Sequence, residues 1–236
     1  MNTLKIIEDK TVGQLVAERP SRAHIFEQFG IDYCCGGKKP LTQACREKNI
    51  DPQQVRDSLT QSEEPAQGDA DWSAASLTEL ADHIEHTHHA YLKAELPRLD
   101  ALTHKVASAH GHRHPELLQV RDVFVGLKNE METHMAKEER IFFPACRQLE
   151  KDGEHSAGWL AGPIGVLTDE HDDAGRALST LRELTHNYTP PPDACNTFRA
   201  LLDGLGQLES DMHQHVHKEN NILFPLATAA ALRGVI

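Results

Sequence analysis

Two stretches of the chain repeat one pattern of side chains that can bind metal. His134-Met-Ala-Lys-Glu-Glu-Arg-Ile-Phe-Phe-Pro144 returns 81 positions later as His215-Val-His-Lys-Glu-Asn-Asn-Ile-Leu-Phe-Pro225. Residues four apart on a helix share a face, so each copy presents an imidazole beside a carboxylate. The two pairs are His134 with Glu138 and His215 with Glu219. Only this first glutamate is duplicated, because Asn220 stands where the first copy has Glu139.

The spacing of the repeat selects two further ligands from the 16 histidines of the chain. His89 lies 45 positions before His134, and His171 lies 44 positions before His215. In an antiparallel hairpin that turns near residue 112, His89 and His134 stand at the same level. His110 is 21 residues beyond His89, about 32 Å along a straight helix, so we place it outside the set. The predicted metal ligands are His89, His134, Glu138, His171, His215 and Glu219.

Four imidazoles and two carboxylates with pseudo-twofold symmetry suit two metal ions. Both glutamates would bridge the metals, leaving positions for an oxo group, water or a small ligand. Mixed nitrogen and oxygen ligation with open positions favours iron, with manganese and zinc as alternatives. Structural zinc more often recruits thiolates and closes its shell. The competing interpretation, surface His/Glu pairs on amphipathic helices, is disfavoured by the duplication.

These ligands need long helices to position them, and the sequence predicts four, at about 76–109, 115–151, 163–187 and 195–231. Glycine and proline clusters separate them, and no run of alternating β-branched residues occurs. The predicted fold class is all-α, an antiparallel four-helix bundle preceded by a small helical domain. We predict three parts: residues 1–60 as the small domain with Cys34 and Cys35, 61–74 as a polar linker, and 75–236 as the bundle.

Several neighbouring side chains are assigned to packing or to solvent. We expect the apolar residues after each motif to be core: Ile141, Phe142, Phe143, Ile222, Leu223 and Phe224. Pro144 and Pro225 are expected to bend or end their helices. His213 and His217 are expected to be solvated, because they flank His215 two positions away.

The glycines after Cys34 and Cys35 favour exposed thiols, and Lys38 and Lys39 would ease their ionisation. Two unreactive thiols at a turn remain the alternative.

Charge and cysteine usage restrict the class of partner. The formal charge of −12 argues against nucleic acid or an anionic membrane surface as the main partner. No apolar stretch approaches the roughly 20 residues of a membrane-spanning helix, and the first ten residues have no apolar signal region. Five cysteines, an odd number that includes an adjacent pair, suit a reducing cytoplasm. The sequence leaves open whether the chain forms a homodimer.

The combination of motifs resembles the iron–sulfur cluster repair di-iron proteins, also called the Repair of Iron Centres family. The resemblance covers nearly the whole chain and depends on four features. They are Asp32-Tyr-Cys-Cys-Gly-Gly-Lys38, Glu170-His-Asp-Asp-Ala-Gly175, the two His-x-x-Lys-Glu-x-x-Ile-x-Phe-Pro stretches and Thr189-Pro-Pro-Pro192. It implies a hemerythrin-like bundle with two non-haem irons, bridged by oxo and carboxylate groups, on the six ligands above. His110 also matches a histidine that recurs in relatives.

The resemblance implies a cytoplasmic protein that repairs iron–sulfur clusters damaged by nitrosative or oxidative stress. Iron donation to damaged clusters is the first mechanism, with Cys34 and Cys35 as thiolate relays. Reduction of nitric oxide at the diferrous centre is the second, and it would make the protein an enzyme. A hemerythrin-type module that binds oxygen or metal is the rival of a different class. A ferritin-like oxidase is disfavoured, because it uses Glu-x-x-His rather than His-x-x-x-Glu.

Overall fold

The computed structural model describes residues 10–61, 72–152 and 157–233. Most of the predicted linker, residues 62–71, lies outside these ranges. The chain divides into two compact units. Unit 1 comprises Met1–Ala81, Cys146–Ala161 and His213–Ile236, and unit 2 comprises Asp82–Ala145 and Gly162–Met212. Helices and turns account for the described ranges, which contain no strand beyond a single bridge between Thr11 and Pro40, so the all-α prediction is confirmed.

The first part of unit 1 is a small helical core. Its helices are α1 (Val12–Glu18), α2 (Ala23–Gln28), α3 (Leu41–Glu47) and α4 (Pro52–Gln61), with a 3₁₀ turn at Pro20–Arg22. A capping box of Thr11 and Gln14 begins α1, because each side chain satisfies a backbone N–H of the other residue. Gly30, with φ of 62°, follows α2 in the left-handed conformation that glycine adopts readily. Buried Leu15, Phe26 and Leu41 form the centre of this core.

The remaining α-helices of the described ranges are α5 (Leu77–Ile84), α6 (Ala90–His110), α7 (Glu116–Lys137), α8 (Phe143–Asp152), α9 (Ala157–Leu184), α10 (Asn196–Lys218) and α11 (Phe224–Arg233). Unit 2 contains α6, α7 and the larger parts of α9 and α10, whereas α11 belongs to unit 1.

Within unit 2, side-chain hydrogen bonds connect α6 to α7, α7 to α9, α9 to α10, and α10 to the π-helical turn before α6. The bonded pairs are Lys128–Asp100, His134–Glu170, Arg182–Glu209 and His88–Asp211. Two pairs of contacts show the direction. His89 contacts Glu139 while Asp100 contacts Lys128, so α6 and α7 are antiparallel. His88 contacts Asp211 while His110 contacts Cys195, so α6 and α10 are antiparallel too, as in a four-helix bundle.

Three π-helical segments interrupt the long helices close to the predicted ligands. They are π1 (Glu85–His89), π2 (Glu138–Phe142) and π3 (Glu219–Leu223). In π2 and π3 the backbone N–H of the next residue bonds to the glutamate carbonyl five positions earlier. Such bulges occur frequently at functional sites. No sequence signal predicted them, although one ends at His89 and the others begin at Glu138 and Glu219.

The helices continue beyond the two prolines of the repeat. Pro144 and Pro225 are the second residues of α8 and α11, so neither proline ends its helix. Each follows a π segment directly, where hydrogen bonding already departs from the α pattern. The core assignment was wrong for Ile141, which is 53% exposed, whereas the matched Ile222 is buried. Along the described ranges, no helix is both long and apolar enough to cross a membrane.

Candidate metal centre

Glu138 is the centre of a buried polar group in unit 2. It begins π2, and neither its side chain nor that of His89 is exposed to solvent. The Nε2 atoms of His89 and His134 each lie 3.2 Å from the same carboxylate oxygen, Oε2 of Glu138. Within the described ranges, neither oxygen of this carboxylate accepts a hydrogen bond. A buried carboxylate with no hydrogen bond is costly unless a cation neutralises it.

Two further glutamates fix the tautomers of these histidines. Glu139 Oε1 accepts a hydrogen bond from His89 Nδ1 at 2.8 Å, and Glu170 Oε2 accepts one from His134 Nδ1 at 2.9 Å. A carboxylate can only accept, so the proton of each neutral ring is on Nδ1 and the lone pair is on Nε2. This carboxylate–histidine arrangement is the one that commonly supports metal-ligating imidazoles.

Lysines hold both supporting carboxylates in the ionised form. Glu139 is 2.6 Å from Lys93 Nζ, and Glu170 forms an ion pair with Lys137. Burial alone would raise the pKa of each carboxyl group. The hydrogen bonds from the lysine and the histidine outweigh burial, and the pKa of both Glu139 and Glu170 is lowered. Both groups are therefore charged acceptors near neutral pH.

These tautomers make the inner atoms of the site a set of electron-pair donors. In these tautomers Nε2 of His89 and of His134 carries no proton, and each lies 3.2 Å from a carboxylate oxygen, so a cation between them would be stabilised by all three atoms. His171 Nε2 lies 3.1 Å from His134 Nε2, so a third imidazole joins the group. The ligand atoms of His134, Glu138 and His171 all lie within 4.8 Å of one another. These residues therefore fit a metal cation.

The second copy of the repeat forms a corresponding pair in unit 1. His215 Nε2 lies 3.1 Å from Glu219 Oε1, and both side chains are completely buried. As in the first copy, the histidine is in the last turn of the α-helix and the glutamate begins the π segment. The structure thus brings together His89, His134, Glu138 and His171 in unit 2, and His215 with Glu219 in unit 1.

The cysteine pair lies on a loop held by Asp32. Its carboxylate accepts hydrogen bonds from the backbone N–H groups of Cys34 and Gly36, each at 2.9 Å, and from the Cys34 thiol at 3.2 Å. The expectation of exposed, easily ionised thiols was wrong for Cys34, which is buried. Its hydrogen bond with Cys35, burial and the Asp32 charge all raise the pKa of Cys34. Cys35 is half-buried, with its sulfur 4.0 Å from that of Cys34.

The prediction for His217 was also wrong. His217 was expected to be solvated, yet it is only 4% exposed, and burial lowers its pKa to about 4. The ring therefore remains neutral near pH 7. Its Nδ1 lies 3.2 Å from the carbonyl oxygen of Tyr33, the residue before the cysteine pair. His217 is a neutral hydrogen-bond donor to the cysteine loop, although its position beside His215 indicated a surface role.

His110 lies near the end of α6, beside a different cysteine. Its Nε2 is 3.3 Å from the sulfur of Cys195, the exposed residue just before α10. The backbone N–H groups of Phe198 and Thr197 stabilise the thiolate and lower the pKa of Cys195. His110 is not among the described histidines that group with buried carboxylates into a candidate metal site.

Two family models match the chain. A domain of unknown function, DUF542, matches residues 8–63, and the hemerythrin HHE cation-binding domain matches residues 56–227. The chain is 36% identical over 222 residues to the iron–sulfur cluster repair protein YtfE of Citrobacter koseri. That alignment covers 94% of this chain and 97% of the relative, and the same values hold for YtfE of Escherichia coli O157:H7. YtfE of Enterobacter sp. strain 638 is 37% identical over the same lengths.

These matches span almost the full chain, and they include a cation-binding domain over the helices that carry the buried histidines and glutamates. The earlier resemblance and the all-α fold class are confirmed. The chain belongs to the hemerythrin HHE cation-binding family and, within it, to the iron–sulfur cluster repair proteins.

Proposed function

We propose that this protein repairs damaged iron–sulfur clusters by donating iron from a di-iron centre. The observation that carries the proposal is the buried Glu138 carboxylate, which accepts no hydrogen bond within the described ranges and has the Nε2 atoms of His89 and His134 3.2 Å from one of its oxygens. Such a site is built for a cation, and its family binds cations. Relatives with this domain combination are named for iron–sulfur cluster repair. Iron is then the cargo, and damaged iron–sulfur proteins are the partners.

We assign the full ligand set from the duplication of the sequence. Each copy supplies one bridging carboxylate, Glu138 or Glu219, and the histidine four residues earlier. The metal ligands in this proposal are His89, His134, Glu138, His171, His215 and Glu219. Bound iron, with an oxo bridge, would supply redox chemistry and open coordination positions. Nitrogen and oxygen ligands hold ferrous iron less tightly than thiolates hold soft metals, which suits a donor.

Cys34 and Cys35 are the proposed relay between the metal centre and the acceptor protein. Their sulfurs lie 4.0 Å apart, and both are close to the Asp32 carboxylate. Two sulfurs and one carboxylate could hold an iron ion in transit. The raised pKa of Cys34 means that its thiol must lose a proton as it takes the metal. A relay that binds weakly at neutral pH releases iron readily.

The same thiols favour a second candidate, the reduction of nitric oxide. Two adjacent thiols that form a disulfide release two electrons and two protons. These are the amounts needed to convert two nitric oxide molecules into nitrous oxide and water. An oxygen- or metal-binding module of the hemerythrin type is the third candidate, and it gives the cysteine loop no role. Cytoplasmic location belongs to the proposal as well, because no two cysteines of the described ranges form a disulfide.

Metal transfer is the decisive experiment. Purified protein loaded with ⁵⁷Fe is mixed with an apo iron–sulfur protein, and Mössbauer spectra of the separated proteins are recorded before and after. We expect about two irons per chain at the start, because the six ligands suit two ions. Iron should then appear in the acceptor. If the iron stays bound while added nitric oxide is consumed, the second candidate replaces the first.

Matched variants separate the centre from the relay. Glu138→Gln and Glu219→Gln remove one bridging charge each and should abolish the coupled di-iron signal. Two normally coupled irons in the double variant would contradict the bridging assignment. Cys34→Ser with Cys35→Ser should keep both irons but transfer them slowly. Transfer at the wild-type rate would leave the cysteines as a structural turn.

A further inference from the structure

The two copies of the repeat differ at two positions that face the cysteine loop. His217 and Asn221 in the second copy correspond to Ala136 and Arg140 in the first. Neither difference concerns a proposed ligand, since both copies keep the histidine and the glutamate four residues later. A duplicated motif that keeps its ligands and changes its neighbours indicates that the neighbours have a separate task.

Both side chains bind backbone of the loop. Asn221 Nδ2 donates to the carbonyl oxygen of Cys34 at 2.9 Å and lies 3.3 Å from that of Tyr33. His217 Nδ1 is 3.2 Å from the Tyr33 carbonyl, which can only accept, so this nitrogen carries the proton. The Tyr33 ring also packs edge-on against the His217 ring, with centroids 5.5 Å apart. Three polar contacts and a ring contact therefore converge on two consecutive residues of the loop.

Two glycines make room for the asparagine. A Cβ atom on Gly37 would lie 2.4 Å from Asn221 Oδ1 and 2.5 Å from the Tyr33 carbonyl oxygen. A Cβ atom on Gly13 would lie 2.3 Å from Asn221 Oδ1. The two glycine backbones are themselves joined, because Gly13 N donates to Gly37 O at 2.8 Å. Both φ values are ordinary, so close approach, and not backbone conformation, requires glycine here.

The asparagine also lies on the segment that carries a proposed ligand. Glu219 begins π3 and Asn221 is its third residue, so both belong to one helical turn. Within unit 1, this segment packs against α1, the helix that contains Gly13. The position of the cysteine loop is thereby tied to the backbone that presents Glu219.

We propose that Asn221 and His217 are positioning residues that clamp the Cys34–Cys35 loop onto the π segment beginning at Glu219. The clamp keeps Cys34 buried and holds the pair in one arrangement. Its role in iron transfer depends on the proposed function, but the clamp itself does not. Burial of Cys34 can be measured whether or not the thiols relay iron.

The test measures how fast N-ethylmaleimide modifies each cysteine, read by mass spectrometry of peptides. Asn221→Asp keeps the side-chain shape but replaces the N–H donor with an oxygen that repels both carbonyls. Gly37→Ala disrupts the same contact by a change in the loop, because its Cβ atom would clash with Asn221 Oδ1. We expect modification of Cys34 to become at least tenfold faster in both variants. Cys45, fully buried on α3 of the same core, should keep its wild-type rate.

The ratio of the Cys34 rate to the Cys45 rate separates release of the loop from general destabilisation. Asn129→Asp and Gly126→Ala are the matched controls, because Asn129 is exposed and a Cβ atom on Gly126 would contact nothing within 4 Å. An unchanged ratio in Asn221→Asp would overturn the clamp. If that variant fails to fold, Asn221→Ala removes the donor without adding volume, and an unchanged ratio there counts equally against the proposal. If Cys34 becomes more reactive and iron transfer becomes slower in the same variant, the clamp contributes to repair. If Cys34 becomes more reactive but iron transfer is normal, the clamp stands and the proposal that the cysteines relay iron is contradicted.

Discussion

Glu170→Ala should weaken iron binding although Glu170 is not a proposed ligand. Its carboxylate accepts a hydrogen bond from His134 Nδ1 at 2.9 Å and thereby leaves Nε2, which lies 3.2 Å from Glu138, without a proton. Without this acceptor, the ring can shift its proton to Nε2 and lose its ability to bind metal. A hydrogen bond to a charged group contributes about 1.5–3 kcal/mol. The side chain of Glu170 is 28% exposed, so we take the lower part of that range.

This free energy corresponds to roughly a 10- to 30-fold loss of affinity, since about 1.4 kcal/mol is tenfold. The assay is the rate at which a ferrous chelator removes iron from the loaded protein near pH 7.5, where Glu170 is ionised. Glu139→Ala should have a similar effect through His89, because its hydrogen bond is 2.8 Å long. Glu130→Ala, on the exposed surface of α7, is the matched control.

The contribution of Glu170 depends on pH. The folded-state pKa of Glu170 is lowered, so its contribution to stability is fully present above the unfolded pKa of about 4.3 and is lost as pH falls through the folded value. Above pH 5, the difference between Glu170→Ala and wild type should stay constant apart from histidine protonation. Chelator removal of iron at the wild-type rate in Glu170→Ala would refute the tautomer argument.

Three further results are expected. His110→Ala should keep the wild-type iron content, because His110 contacts Cys195 and not the buried carboxylates, and loss of one iron would place it among the ligands. The alkylation of Cys195 should reach half its maximal rate at a lower pH than that of an ordinary cysteine, because the backbone N–H of Phe198 lowers its pKa, and buried Cys146 should react far more slowly. Phe124→Ala should lower the free energy of unfolding by about 3–5 kcal/mol, because Phe124 is fully buried, whereas exposed Leu118→Ala should change little in the same chemical denaturation.

The sequence predicted the parts of the site that depend on local helix geometry. His134 and Glu138 are four residues apart, and a helix alone brings them to one face. His89 required only the assumption of an antiparallel hairpin, and its Nε2 indeed lies 3.2 Å from Glu138. The helix boundaries near residues 110 and 116 were also close, because glycine and proline mark that connection.

The supporting residues could not be predicted in this way. Glu170 meets His134 across two helices, and no local pattern fixes that contact. One signal was available, since Glu170 stands beside His171 in the motif that carried the family resemblance. His217 was assigned to solvent because it points away from His215 on an isolated helix. In the folded protein that face of the helix is not exposed to solvent at His217, because the Tyr33 ring packs against it.

The positions at which the two copies of the repeat differ show which neighbours each copy contacts. Glu139 orients His89 in the first copy, and Asn220 replaces it in the second. Asn221 then binds the cysteine loop where the first copy has Arg140. The histidine and the glutamate that we propose as ligands are the same in both copies, whereas Glu139, Asn221 and His217 each suit a neighbour that only their own copy contacts.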